Sequence, residues 1–196
     1  MRPFARRSLL ALSCALLTLP ALARNPTAQE RADIEQLAYK YVFALDWRDA
    51  DAYAAAFAPD GVLTYGGGEA VGREQIAAVI RNMREREMAQ LKEGETGQGN
   101  GHRKHFISSM VIDVSDDGTR AIAQATWMLV GGVEPRIVGH GHYVDKLVKL
   151  NGEWLYTSRK TVNEQTKGRE TLPFVNPVTH PDQYDAAMDG PSRKAD

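Results

Sequence analysis

Apolar positions recur every three or four residues in the first half of the chain and every second residue in the second half. Ile34, Leu37, Tyr41 and Leu45 keep to one side of a helix. Asp49 is placed to cap a second, short helix whose Ala52, Tyr53, Ala56 and Phe57 face inward, and Pro59-Asp60-Gly61 reads as the turn that ends it. Val62 to Tyr65 predicts a short strand, Gly66-Gly67-Gly68 a loop, and Gly72-Arg73-Glu74 the start of a third helix carrying Ile76, Val79, Ile80 and Met83. The end of that helix, Arg84-Glu85-Arg86-Glu87, predicts a solvated face, and residues 92–103 are a polar, Gly-rich loop. Beyond them the period is two. Strands are expected over His105–Val114, Arg120–Val130, Val138–Leu150 and Glu153–Val162, with hairpin turns at Asp116-Asp117-Gly118 and Asn151-Gly152. Helices first and long antiparallel strands afterwards predict an α+β domain with helices on one face of a curved sheet.

The two ends read differently. Arg2, Arg6 and Arg7 precede an apolar run, Ser8–Leu19, and a small-x-small site at Ala21-Leu22-Ala23. That pattern predicts a signal peptide over residues 1–23, cleaved after Ala23, with no stable membrane insertion afterwards and a periplasmic or secreted protein. The domain itself is expected over residues 24–165. Residues 166–196, with Pro173, Pro177, Pro181 and Pro191, are expected to form an arm or lid that becomes disordered near the end.

Removing three arginines and no acid takes the net charge from −1 to −4. A chain without a basic face is not expected to bind nucleic acid. The single cysteine, Cys14, lies in the leader, so disulfides, thiol nucleophiles and cysteine-based metal sites are excluded downstream of it.

Candidate chemistry is confined to a few positions. A carboxylate that orients a histidine is the minimal kit for removing a proton, and Asp46 and His105 are the candidates. Spacing alone favours the plainer reading, a capping Asp46 and a solvated His105. Tyr41 lies about 140° from Asp46 around a helix, so the two share a pocket only where the helix ends near Asp46. Strand alternation puts Leu155, Thr157 and Arg159 on one face, where Arg159 serves either as an anion anchor or as a salt bridge near the rim. His140 and His142 share a strand face, without an evident carboxylate to complete a metal site; none is expected. Trp127, Met128, Phe106, Met110 and Tyr143 predict core or pocket wall and thus an apolar ligand. Asp60 reads as a turn residue and Asp145 as a rim or interface residue.

Six pieces occur in an order that resembles the nuclear transport factor 2-like superfamily, in particular its SnoaL-like branch. They are Tyr41-x4-Asp46-Trp-Arg-Asp49, Phe57-Ala-Pro-Asp60-Gly61-Val62, Gly72-Arg73-Glu74-x-Ile76, His105-Phe-Ile, Gly141-His-Tyr143-Val-Asp145-Lys146-Leu147 and Gly152-Glu-Trp154-x4-Arg159. The resemblance spans roughly residues 30–165 and implies a cone-shaped α+β barrel, in which a curved mixed or antiparallel sheet wraps the N-terminal helices around a deep apolar pocket. It is most similar to the dehydratase and dehydrochlorinase group, which includes scytalone dehydratase and bile-acid 7α-dehydratase. There a His–Asp pair removes a proton, assisted by a residue one turn upstream and, in the dehydrochlorinase, by an arginine on the last strand. Carried over, these positions fall on His105, Asp46, Tyr41 and Arg159. The dehydratases also carry a second polar group near Trp127 or Met128. None stands there, and His140 and His142 are the candidates to replace it.

The resemblance therefore implies a cofactor-independent lyase acting on a small apolar cyclic substrate. Asp46, His105, Tyr41 and Arg159 would be catalytic, and Trp127, His140, His142, Phe106 and Tyr143 would contact substrate. An isomerase using the same base, or a non-catalytic binding cup, are the alternatives. A homo-oligomer, dimer or trimer, is expected.

Overall fold

A computed structural model describes residues 23–66, 68–95, 103–132, 134–165 and 174–189. The expected leader, residues 1–23, lies outside these residues apart from Ala23. Two residues, Ala23–Arg24 (β1), precede the long first helix, Ala28–Trp47 (α1). Thr27 caps α1 with its side chain on the Glu30 N–H, and Glu30 returns a carboxylate oxygen to the Thr27 N–H at 2.8 Å. Glu30 also forms two 2.8 Å bonds to Arg24, which tie β1 to the helix start. The Arg24 hydrogen bonds, with the Thr27 N–H, hold the Glu30 carboxyl down at about 2, against 4.5 ordinarily. A depressed acid stabilises the fold above its unfolded pKa and loses that contribution as pH falls through its folded one. Glu30→Gln is therefore expected to lower the thermal midpoint at pH 7. The gap to wild type should close as pH falls from about 4.5 towards 2.

The first helix stops at Arg48, which adopts a left-handed conformation (φ 59°). Asp49 then caps the short second helix, Ala50–Ala55 (α2), through the Ala52 N–H. Tyr53 and Ala56 are buried as expected, whereas Ala52 is exposed and Ala54 is buried instead. Phe57 does not belong to this helix. It opens a strand, Phe57–Tyr65 (β2), that contains Pro59-Asp60-Gly61. The turn expected there is instead an irregularity within β2, between Phe57 and Val62. A short strand, Gly68–Val71 (β3), begins at the last glycine of the expected loop, and the third helix spans Gly72–Met88 (α3). Its charged end is not wholly solvated, because Glu87 pairs with Arg48 at 2.5 Å.

Four long strands complete the sheet as the alternation predicts: Lys104–Ser115 (β4), Arg120–Gly131 (β5), Arg136–Leu150 (β6) and Glu153–Asn163 (β7). The sheet order is β1-β4-β5-β6-β7-β2-β3, antiparallel throughout except where β2 runs parallel to β7. Ala121, Ala123 and Ala125 place small side chains along the inner face of β5. Ile34, Tyr41, Leu45, Ile76 and Ile80 of the helices fill the core on that side.

Irregularities bend the strands. Ser109 has φ 50° where the β4–β5 register shifts. A side chain at Gly141 would come within 2.0 Å of the Val162 carbonyl oxygen and 3.0 Å of Trp127. Gly141→Ala is therefore expected to cost about 1–3 kcal/mol by overpacking, read from the urea midpoint at constant slope.

The final described segment ends in a helix, Pro181–Asp189 (α4). Tyr184 packs edge-on against His142, and the Gln124 amide donates to the Pro177 carbonyl. This part of the arm covers the outer face of the sheet. The rest of the expected arm, residues 166–173 and 190–196, lies outside the described residues.

Candidate active site

The last turn of α1 turns Asp46 towards the start of β4. Its carboxylate accepts from the His105 backbone N–H at 3.0 Å and lies 2.6 Å from His105 Nδ1. The same residue thus fixes both the strand start and the imidazole. Asp46 is 6% exposed and His105 15%, so the carboxylate is shielded while the ring is reachable. With Nδ1 donating to the carboxylate, the free tautomer places a lone pair on Nε2, the atom able to accept a proton. Trp127 packs beside the ring, with centroids 6.2 Å apart. Lys104 lies 3.0 Å above the Trp47 ring, and burial pushes its ammonium pKa down.

Tyr41 and Arg159 are elsewhere. α1 continues through Trp47, so Tyr41 faces the interior and does not share a site with Asp46. Its hydroxyl lies 2.6 Å from that of Tyr53. Arg159 is fully buried and makes a two-pronged pair with Asp145, at 2.8 and 2.6 Å. Asp145, read as a rim residue, is the core counter-ion. The guanidinium carbon lies 4.1 Å from the ring centres of Tyr41, Tyr143 and Tyr156, so its own protein fills the cation–π cage. Simple alternation separates Tyr156 from Arg159. The register shift that leaves Thr157 unpaired between the Lys146–Ser158 and Leu147–Tyr156 pairs brings both inward.

Burial pushes the phenols of Tyr41, Tyr53, Tyr143 and Tyr156 up. None is poised as a phenolate base. Asp145 holds the Arg159 guanidinium charged despite its burial. The four residues assigned to catalysis thus separate into two groups, one reachable and one closed.

The substrate-contact set separates as well. Trp127 and Tyr143 lie on the inner face with His105, their rings 6.1 Å apart. Phe106, His140 and His142 lie on the opposite face, because Phe106 pairs with Met128 and Met128 with His140. Neither histidine supplies the missing polar group. Both instead point Nδ1 at Glu164, at 3.3 Å from His140 and 2.8 Å from His142. Glu164 was not legible as their partner because it falls after the last strand. Among the described residues no group of three metal-ligating side chains is arranged to hold a metal.

A groove of about 900 Å³ lies between α1, α2 and the β6–β7 turn. Phe43, Trp47 and Trp154 line it, and neither His105 nor Arg159 does. It is not the interior pocket that a cone implies. Among the described residues no helix is long and apolar enough to cross a membrane.

Comparison with known proteins agrees with this architecture. The SnoaL-like domain model matches residues 26–160. ActVI-ORFA from Streptomyces coelicolor is similar at TM-score 0.60 and 21% identity, over 71% of this chain and 98% of that one. An NTF2-like protein with a cystatin-like fold from Novosphingobium aromaticivorans gives 0.57 and 21%, over 71% and 84%. A scytalone dehydratase-like protein from the same species gives 0.53 and 22%, over 69% and 84%. At these identities the likeness is one of fold. No protein of curated function matches the sequence. With three helices packed on a curved sheet and a family match over most of its length, the chain belongs to the SnoaL-like domain family, on an NTF2-like, cystatin-like fold.

Proposed function

We propose that the protein is a cofactor-independent lyase in which His105 removes a proton from a small, largely apolar cyclic substrate. One observation carries this reading: a shielded carboxylate 2.6 Å from Nδ1 of a histidine that remains partly exposed. Asp46 fixes the tautomer and stabilises the imidazolium that forms, while Nε2 takes the proton. The apolar surroundings of Trp127 strengthen both contacts by excluding water. Membership of a family related to polyketide cyclases and dehydratases fits a reaction that begins with loss of a carbon-bound proton. Tyr41 and Arg159 support the site from the core in this reading, as positioning residues.

Export and self-association belong to the same proposal. The charged and apolar leader pattern supports the first, and exposed Phe106, Val111 and Ile122 on the sheet the second.

The test is deuterium incorporation from D2O, and elimination, in a panel of cyclic β-hydroxy ketones and β-halo ketones. Protein-dependent exchange lost in His105→Gln is expected. Full turnover in that variant would overturn the assignment.

A further inference from the structure

We propose that the indole N–H of Trp127 is the hydrogen-bond donor that holds the substrate's acceptor oxygen while His105 removes the adjacent proton. The inference rests on the reading of His105 as a base and adds the chemical class of the substrate.

Trp127 and His105 share the inner face, since Trp127 pairs with Ile107 and His105 with Leu129. Among the buried donors that lack a partner in the described residues, Trp127 is the one whose ring packs beside His105. The orientation of the indole is set by β6. A side chain at Gly141 would lie 3.0 Å from its Cζ2, and one at Gly139 would lie 3.4 Å from its Cζ3. The six-membered ring is therefore seated over two glycines. Nε1 is buried without a hydrogen-bond partner among the described residues, although buried N–H groups are almost always paired. An acceptor on the substrate would satisfy it.

The donor also constrains the reaction. An indole N–H donates a hydrogen bond and accepts none, and it does not surrender its proton at ordinary pH. It can stabilise charge growing on a carbonyl oxygen but cannot protonate a departing hydroxide. The fitting substrate is a cyclic ketone with an α C–H. His105 Nε2 takes the α-proton, and the C–H electron pair becomes the C=C bond of an enolate. The carbonyl π pair moves onto the oxygen held by Trp127. The proton then returns from His105 to carbon, or a β-substituent leaves as an anion with its bonding pair as the carbonyl reforms.

The test compares 1-tetralone with tetralin, its hydrocarbon counterpart, on 15N-labelled protein. The three indole signals are assigned with Trp47→Phe and Trp154→Phe. Tetralone is expected to move the Trp127 signal downfield and to bind roughly tenfold more tightly than tetralin, the scale of one neutral hydrogen bond. Trp127→Phe should abolish that preference, with tetralone then binding no more tightly than tetralin. Exchange at C2 of tetralone in D2O reports the base separately. If exchange is absent but the preference depends on Trp127, the base fails and the donor stands. If exchange requires His105 but neither it nor binding responds to Trp127→Phe, the base stands and the donor fails. A stationary Trp127 signal, or no tetralone binding, also overturns the donor.

Discussion

Asp46→Asn is expected to lower turnover by roughly 100- to 10,000-fold while the protein stays folded. The asparagine oxygen can still accept from the His105 backbone N–H, now made to the carboxylate at 3.0 Å. Its amide nitrogen would then face Nδ1 and donate to it. That contact reverses the imidazole, placing the hydrogen on Nε2 and removing the lone pair that takes the substrate proton. The variant therefore keeps the geometry and loses the base. Imidazole 15N shifts should report the tautomer change, and raising the pH should not restore the rate. Wild-type turnover in Asp46→Asn would show that the carboxylate only ties the strand to the helix.

The second large effect concerns stability. Asp145→Leu is expected to cost about 3–5 kcal/mol in urea unfolding, because it strands a buried guanidinium without its counter-ion. Arg159 is 0% exposed and Asp145 1%, so water cannot take over the charge. The three tyrosine rings at 4.1 Å offer attraction but no acceptor equal to a carboxylate. The double variant Asp145→Leu/Arg159→Met should recover most of the loss, since apolar pairs often replace buried ion pairs without penalty. A double variant as unstable as the single one would mean that the tyrosines require the cation.

Those two sites also show what the sequence could and could not tell. The long strands were legible because each alternates apolar and polar residues over ten positions or more. Of β2 only Val62–Tyr65 was legible, because Pro59-Asp60-Gly61 carries turn signals and its neighbour is β7, far along the chain. The shared face of Tyr156 and Arg159 was hidden by an extra residue at Thr157, which breaks the alternation on which the facing argument depends. The pairing of Asp46 with His105 required the family resemblance, since nothing local connects residues 59 positions apart. His140 and His142 were correctly placed together, but alternation does not say which side of a sheet is inside. The unpaired indole of Trp127 has no sequence signal, because it depends on what surrounds Nε1.

The parallel pairing of β2 with β7 has a consequence for how the molecule comes into being. Leu63 and Arg159, about a hundred positions apart, are register partners. The first three helices and β2 are made early, yet the neighbour that completes β2 is made after every other long strand. A ribosome-bound chain lacking β7 leaves one edge of β2 without its partner, and the Asp145 carboxylate without its counter-ion. Acquisition of the native state is thus deferred until the chain is nearly finished, with the slow kinetics of distant strand pairing. Truncation before Arg159 should yield a protease-sensitive, aggregation-prone chain rather than a smaller folded one.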